Sequence, residues 1–163
     1  MHGKPANKEE MKKLIVQAVE QGCNFFDTAE CYVAENEDGT IEYNEELVGE
    51  ALAPYRDQVI IATKCGVHHQ GTNLVMDARP ETIKKAIEGS LKRLKTDYID
   101  LYYLHRIDPN VPIETVAKTM KELMEAGKIR YWGISEADED TIRRAHAICP
   151  LTVVESEYSM MFR

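Results

Sequence analysis

The chain has 163 residues, a length that suits a single domain with a buried core. Hydrophobic residues make up 44% and charged residues 29%, as is usual for globular proteins. The formal net charge of −8 would repel a phosphate backbone or an anionic bilayer, so we expect neither nucleic acid nor membrane as a partner.

The first residues are polar and lead directly into an amphipathic helix. We therefore expect no signal peptide and no transmembrane span, and a cytoplasmic protein. Asn7 and Glu10 fit a capping-box start for this helix, and apolar residues then repeat at helical spacing as far as Gly22.

Five helix-then-strand units follow one another along the chain. After the first helix, further helices are predicted to begin near Asn44, Pro80, Pro112 and Asp138. Short apolar runs after the helices predict strands over residues 23–27, 59–62, 99–104, 129–134 and 151–154. Such alternation indicates an α/β protein with parallel strands.

Two architectures join parallel strands through helices, an open doubly wound sheet and a closed barrel. No Gly-x-Gly-x-x-Gly motif follows any predicted strand, so the open dinucleotide-binding sheet lacks its signature. The pattern favours the barrel. A complete barrel takes eight strands and about 250 residues, and only five strands are predicted here.

Each predicted strand is followed or ended by a polar side chain. These side chains belong to Asp27, Lys64, His105, Ser135 and Glu155. Because the carboxyl ends of parallel strands meet at one rim, we expect them to lie close together. Taken singly, each has a structural explanation, such as a turn residue or a surface charge. Together they predict a site in which a lysine and an aspartate neutralise each other.

Four stretches of the chain together resemble the aldo-keto reductase family. They are residues 22–29 with Tyr32 five positions after Asp27, residues 61–64, residues 91–105 and residues 127–136. The resemblance covers nearly the whole chain from the first helix onward. It implies a partial (β/α)8 TIM barrel of aldo-keto reductase type, with about five parallel strands and intervening helices. The whole of residues 1–163 is then a single truncated domain of that family.

The resemblance implies reduction of a small aldehyde or ketone to an alcohol with NADPH, with Tyr32 as the proton donor. A tyrosine hydroxyl has an ordinary pKa of about 10, so this role needs a cation nearby. Lys64 would supply the cation, Asp27 would hold Lys64 in place, and His105 would hydrogen-bond the substrate carbonyl. The hydride must come from the cofactor, because no side chain donates one.

Three further positions match residues with which the family binds NADP(H). Ser135 stands where a hydroxyl meets the nicotinamide carboxamide, and Glu136 stands where asparagine is common. Glu155 begins a segment that usually begins with glutamine. A carboxylate accepts from the amide nitrogen but cannot donate to the amide oxygen, so we expect the Glu155 contact to be weakened or rearranged.

Parts of the family's barrel have no counterpart in these residues, namely its first, seventh and eighth strands and the late loops that grip the cofactor phosphates. We expect weaker NADPH binding, because phosphates supply much of the charge-assisted binding energy. Two open sheet edges would favour self-association. Three hypotheses stay open: an active reductase, a catalytically silent relative that acts as a binding or assembly module, and a piece of a longer polypeptide.

Several remaining features are interpreted as structural. The four cysteines lack paired spacing and are expected to be reduced thiols, with Cys31 a small residue at the rim. His68 and His69 are predicted to lie in an exposed loop, and no metal site is expected, because no third ligand has metal spacing. Residues 35–39 are predicted to be a solvated loop, and the basic run of Lys92, Arg93 and Lys95 an exposed helix end.

Overall fold

A computed structural model describes residues 7–36, 38–71 and 73–161. The strands are β1 Phe25–Asp27, β2 Val33–Glu35, β3 Ile41–Tyr43, β4 Ile60–Cys65, β5 Val67–Gln70, β6 Asn73–Met76, β7 Ile99–Leu104, β8 Ile129–Ser135 and β9 Val153–Glu155. The helices are α1 Lys8–Glu20, α2 Asn44–Leu52, α3 Pro80–Leu94, α4 Ile113–Glu125 and α5 Glu139–Ile148, with a 3₁₀ helix at Ala53–Gln58.

Five parallel strands form the main sheet, in the order β1, β4, β7, β8, β9. This order is also their order along the chain, as in a barrel built from consecutive βα units. The predicted five parallel strands with intervening helices are confirmed, and the sheet curls as part of a barrel wall.

The helices begin and end where local chemistry dictates. The Asn7 side chain accepts hydrogen bonds from the backbone N–H groups of Glu9 and Glu10, at 3.0 and 3.3 Å, and so caps α1. Asp138 caps α5 by accepting from the Thr141 N–H at 2.7 Å. Helix α3 has Pro80 in its first turn, where the missing N–H costs nothing.

Side chains of the main sheet alternate between two faces. On the outer face, buried residues pack against the helices; they include Ile61, Tyr102, Leu104, Trp132 and Ile134. The opposite face, here called the inner face, has a small cluster of Ala62, Leu101, Tyr103 and Val153. At the amino-terminal end of the inner face, three large side chains are exposed, namely Phe25, Ile60 and Tyr131. The outer face therefore holds most of the core.

Two antiparallel hairpins lie outside the main sheet. Strand β2 pairs with β3, and β5 pairs with β6. The hairpin β5–β6 contains His68 and His69, so their prediction as loop residues was wrong, although both side chains are exposed. In the other hairpin, Glu35 belongs to β2 and the rest of residues 35–39 forms the turn, apart from Glu37, which lies outside the described residues.

Among the described residues, no helix has the length and apolar character that a bilayer span requires.

Candidate active site

The polar side chains predicted at the strand ends lie together at the carboxyl rim of the main sheet. Asp27, Ser135 and Glu155 are the last residues of β1, β8 and β9. Lys64 is one residue from the end of β4, and His105 directly follows β7. Parallel pairing places the ends of all five strands at this rim, which is where α/β proteins hold their sites.

Lys64 is the centre of this group. Its side chain is 1% exposed, and its ammonium group forms an ion pair with the Asp27 carboxylate. The same nitrogen donates to the Thr28 carbonyl at 3.2 Å and lies 3.7 Å from Glu155 Oε1. Burial raises the pKa of Asp27 and of Glu155, while Lys64 opposes both shifts. Lys64 is thus a buried cation shared by two carboxylates.

Tyr32 lies over this cation and beside the histidine. The Lys64 nitrogen is 5.4 Å from the centroid of the Tyr32 ring, and the rings of Tyr32 and His105 meet edge to face at 5.7 Å. Burial raises the pKa of Tyr32, and Lys64 acts in the opposite direction. Lys64 therefore lowers the pKa of Tyr32, as predicted, but burial raises it by more. The phenol keeps its proton at neutral pH.

The first residues of α2 connect the carboxyl ends of β1 and β4. The Asn44 side chain accepts from the Thr28 hydroxyl at 2.8 Å, next to Asp27 in the chain. Glu45 is completely buried and accepts from the Thr63 hydroxyl and from Arg93 Nε, each at 2.6 Å. Since Thr63 precedes Lys64, the start of α2 fixes the ends of β1 and β4 relative to each other.

Arg93 differs from its prediction as part of an exposed helix end. Its side chain is 17% exposed, pairs with Glu45 and stacks over the ring of Tyr43 at 4.3 Å. The close approach depends on Gly49, where a Cβ atom would come within 2.6 Å of the backbone of α3. Helix periodicity did not reveal this pair, because its partners are far apart in the chain.

His105 has a buried thiol beside it. The Cys31 sulfur lies 3.4 Å from His105 Nδ1, and both residues are less than a tenth exposed. The Cys31 carbonyl accepts from His69 Nε2 at 3.0 Å. Burial raises the pKa of the Cys31 thiol to about 11, with a further contribution from Glu30. Cys31 therefore contacts His105 directly, a contact that its predicted place at the rim did not specify.

Arg106 joins two of the strand ends. Its Nη1 donates to the His105 carbonyl at 2.7 Å and to the Ser135 hydroxyl at 3.1 Å. Sequence analysis did not single out this arginine, although its position directly after His105 is a signal that was available. Ser135 is buried and held in place by this contact.

Glu136 adopts an unusual backbone conformation for a residue with a side chain, with φ at 52°. Its N–H donates to the Glu155 carbonyl at 2.9 Å, and its carboxylate accepts from the Glu157 N–H at 2.6 Å. Glu136 therefore ties the end of β8 to the segment after β9. In this arrangement the Glu136 carboxylate has a hydrogen-bond donor within the protein.

The residues at the rim fit one end of a nicotinamide cofactor. Ser135 and Glu155 are register partners at adjacent strand ends. A hydroxyl can donate to the oxygen of a carboxamide, and a carboxylate can accept from its nitrogen. The cations Lys64 and Arg106 are already held by contacts within the site. The donor set thus suits a carboxamide better than a phosphate.

The consecutive parallel βα units define a partial TIM barrel, and the ionisable side chains lie at the carboxyl rim, where such barrels hold their sites. All of residues 1–163 match the model of the Aldo/keto reductase family. A Glycine max protein named "Probable aldo-keto reductase 1" is 44% identical over 161 residues, which are 98% of this chain and 44% of that protein. The chain belongs to the aldo-keto reductase family.

Solved structures of the same family share the fold. The glycerol dehydrogenase from Gluconobacter oxydans aligns with a TM-score of 0.84 at 29% identity, covering 98% of this chain and 49% of that one. The holo form of an aldo-keto reductase from Bacillus halodurans gives 0.82 at 32% identity, over 95% and 50%. A Klebsiella pneumoniae aldo/keto reductase in complex with NADP and acetate gives 0.69 at 30%, over 88% and 45%. The chain spans about half the length of these relatives.

Proposed function

We propose that this chain carries the catalytic residues of an oxidoreductase that reduces small aldehydes or ketones to alcohols with NADPH. The observation that supports this most directly is the grouping of Asp27, Tyr32, Lys64 and His105 at one rim. Family membership supports an oxidoreductase in general terms. The carbonyl substrate and the use of NADPH are part of the proposed function.

Tyr32 is proposed as the proton donor. Its raised pKa keeps the hydroxyl protonated, and Lys64 stabilises the phenolate left when the proton moves to the carbonyl oxygen. Asp27 holds the lysine and balances its charge in a buried position. Tyr32, Lys64 and Asp27 thus combine a proton source with a cation that favours release of the proton.

His105 is proposed to hydrogen-bond the carbonyl oxygen and to orient the substrate. Its edge-to-face contact with Tyr32 brings the two side chains together, which supports this role. NADPH, when bound, supplies the hydride that the carbonyl carbon accepts. Ser135 and Glu155 are proposed to hold the carboxamide, and Glu136 to fix the backbone beside them. The carbonyl compound becomes an alcohol once carbon has gained the hydride and oxygen the proton.

An alternative is that the chain is a catalytically silent relative that serves as a binding or assembly module. The two sheet edges that are open within the described residues support this hypothesis, because open edges favour pairing with another chain. A cytoplasmic setting is proposed for either function, since all four cysteines are free thiols.

Titration with NADPH, followed by cofactor fluorescence, distinguishes the two functions. Saturable binding at micromolar concentration is expected for the reductase, and a parallel titration with NADH measures the preference for the extra phosphate. An absence of binding up to millimolar NADPH would rule out reductase activity in this chain and favour the silent module.

Substitution Tyr32→Phe tests the proton donor. Reduction of a carbonyl substrate should slow by about 10²- to 10⁴-fold, the usual contribution of general acid catalysis. Tyr55→Phe is the matched control, because Tyr55 packs against the helix-side core from the 3₁₀ helix before β4. Circular dichroism should show both variants folded. Equal activity of Tyr32→Phe and the parent would refute the assignment.

A further inference from the structure

The contact between Cys31 and His105 points to a role for Cys31, a residue to which the proposed mechanism gives none. We propose that Cys31 is a positioning residue that holds the His105 imidazole in the tautomer with its proton on Nε2. The geometry behind this is the 3.4 Å separation of the Cys31 sulfur from His105 Nδ1, between two buried residues. The catalytic meaning of the tautomer rests on the proposed function, whereas the tautomer itself does not.

The direction of this hydrogen bond follows from the chemistry of its two atoms. A thiol sulfur is a weak acceptor, whereas the unprotonated nitrogen of a neutral imidazole is a good one. Burial and the nearby Glu30 raise the pKa of the Cys31 thiol to about 11, so the sulfur keeps its proton at neutral pH. Cys31 therefore donates to Nδ1, and the tautomer compatible with this bond carries its proton on Nε2.

The backbone of Cys31 is also held, which makes the thiol a fixed donor. The Cys31 carbonyl can only accept, so the 3.0 Å contact from His69 Nε2 is a hydrogen bond donated by His69. His69 belongs to β5 and His105 follows β7. Cys31 is thus anchored between two elements, and its sulfur approaches the ring from a set direction.

The tautomer decides what His105 can offer a substrate. A carbonyl oxygen only accepts hydrogen bonds, so the ring can serve it only from a nitrogen that carries a proton. With Nδ1 engaged by the thiol, the ring can donate to a carbonyl oxygen only from Nε2. The tyrosine ring packed edge to face against His105 limits rotation that would exchange the two nitrogens.

Nuclear magnetic resonance of the full chain, labelled with ¹⁵N in the histidine rings, measures the tautomer without substrate or cofactor. The variant His105→Gln identifies the His105 signals in these spectra. His146 is an internal reference, because its Nδ1 accepts from the Leu151 N–H at 3.1 Å, a contact that does not involve Cys31.

We expect the Nε2–H form in the parent chain and in Cys31→Ser, which keeps a donor. In Cys31→Ala the ratio of Nδ1–H to Nε2–H should rise about two- to tenfold, the loss expected for one hydrogen bond, while His146 stays unchanged. Cys31→Val is a second variant without a donor, should the alanine variant fail to fold. An Nδ1–H form in the parent, or an unchanged ratio in both donor-free variants, overturns the proposal. A chain that shows the tautomer but reduces nothing would refute the proposed function alone.

Discussion

At the scale of single residues, Lys64 has two unequal acidic partners. Asp27 forms a direct ion pair with the buried ammonium group, whereas Glu155 Oε1 lies 3.7 Å away and its side chain is 42% exposed. Solvent screens exposed charges, and a charge left alone in a buried position is costly. The two carboxylates should therefore contribute very differently to stability.

Substitution Asp27→Asn should lower the free energy of unfolding by about 2–3 kcal/mol, somewhat below the loss for a fully buried pair because Asp27 is partly exposed. Glu155→Gln is the matched control and should cost less than about 1 kcal/mol. Urea denaturation followed by circular dichroism measures both. Equal losses would show that Asp27 is no more important to Lys64 than Glu155.

The residues of the site were predictable only in part. Asp27, Lys64, His105, Ser135 and Glu155 could be found because parallel strands place their ends at one rim. Tyr32 lies in a loop, and only the family resemblance indicated it. The contacts of Cys31 and Glu45 could not be predicted, because each joins side chains whose approach depends on packing rather than on spacing.

At the scale of elements, the pairing of Glu45 with Arg93 joins α2 to α3. Glu45 is completely buried, and its other oxygen holds Thr63 on β4. The pair therefore connects two helices to the strand that carries Lys64. Breaking it leaves a guanidinium group without its charge partner in a mostly buried position.

Substitution Glu45→Gln should lower the free energy of unfolding by about 3–5 kcal/mol, as is usual when one partner of a buried pair is removed. The control is Glu139→Gln, which breaks a pair with Arg143 in which both side chains are at least 75% exposed, and it should cost under about 0.5 kcal/mol. Thermal and urea unfolding would give the two values. A small loss for Glu45→Gln would mean that water reaches Arg93 readily.

The five helix-then-strand units were predictable because helical and strand periodicity differ clearly in this sequence. The boundaries of the strands were less predictable. The first strand was expected from residue 23 and begins at Phe25, and the last was expected from residue 151 and begins at Val153. The hairpins were missed, because β2, β3, β5 and β6 have only three or four residues each and show little alternation.

At the scale of the whole molecule, the inner face and the sheet edges are open over the described residues. Strands β1 and β9 each pair along one side only within the part of the chain that the structure describes. Phe25, on β1, is 45% exposed, and Ile60 beside it is 41% exposed. Apolar side chains next to an unpaired strand edge favour association with another copy.

We therefore expect sedimentation velocity to show a sedimentation coefficient that rises with protein concentration. Phe25→Lys should weaken this dependence, because a lysine on an edge strand opposes strand pairing. Leu14→Lys is the control, since Leu14 is 57% exposed on α1 and away from the main sheet. A single species at all concentrations, or equal effects of the two substitutions, would contradict association through this edge.

The identity between strand order and chain order bears on how the protein folds. Every parallel pair in the main sheet joins strands that are consecutive among its five, so each pairing closes only the segment between two neighbouring strands. The entropy of closing each intervening loop grows only slowly with its length, and successive additions are therefore similar in cost. Because each added strand lies beside the previous one, a unit can be gained or lost at either side of the sheet without rethreading the others.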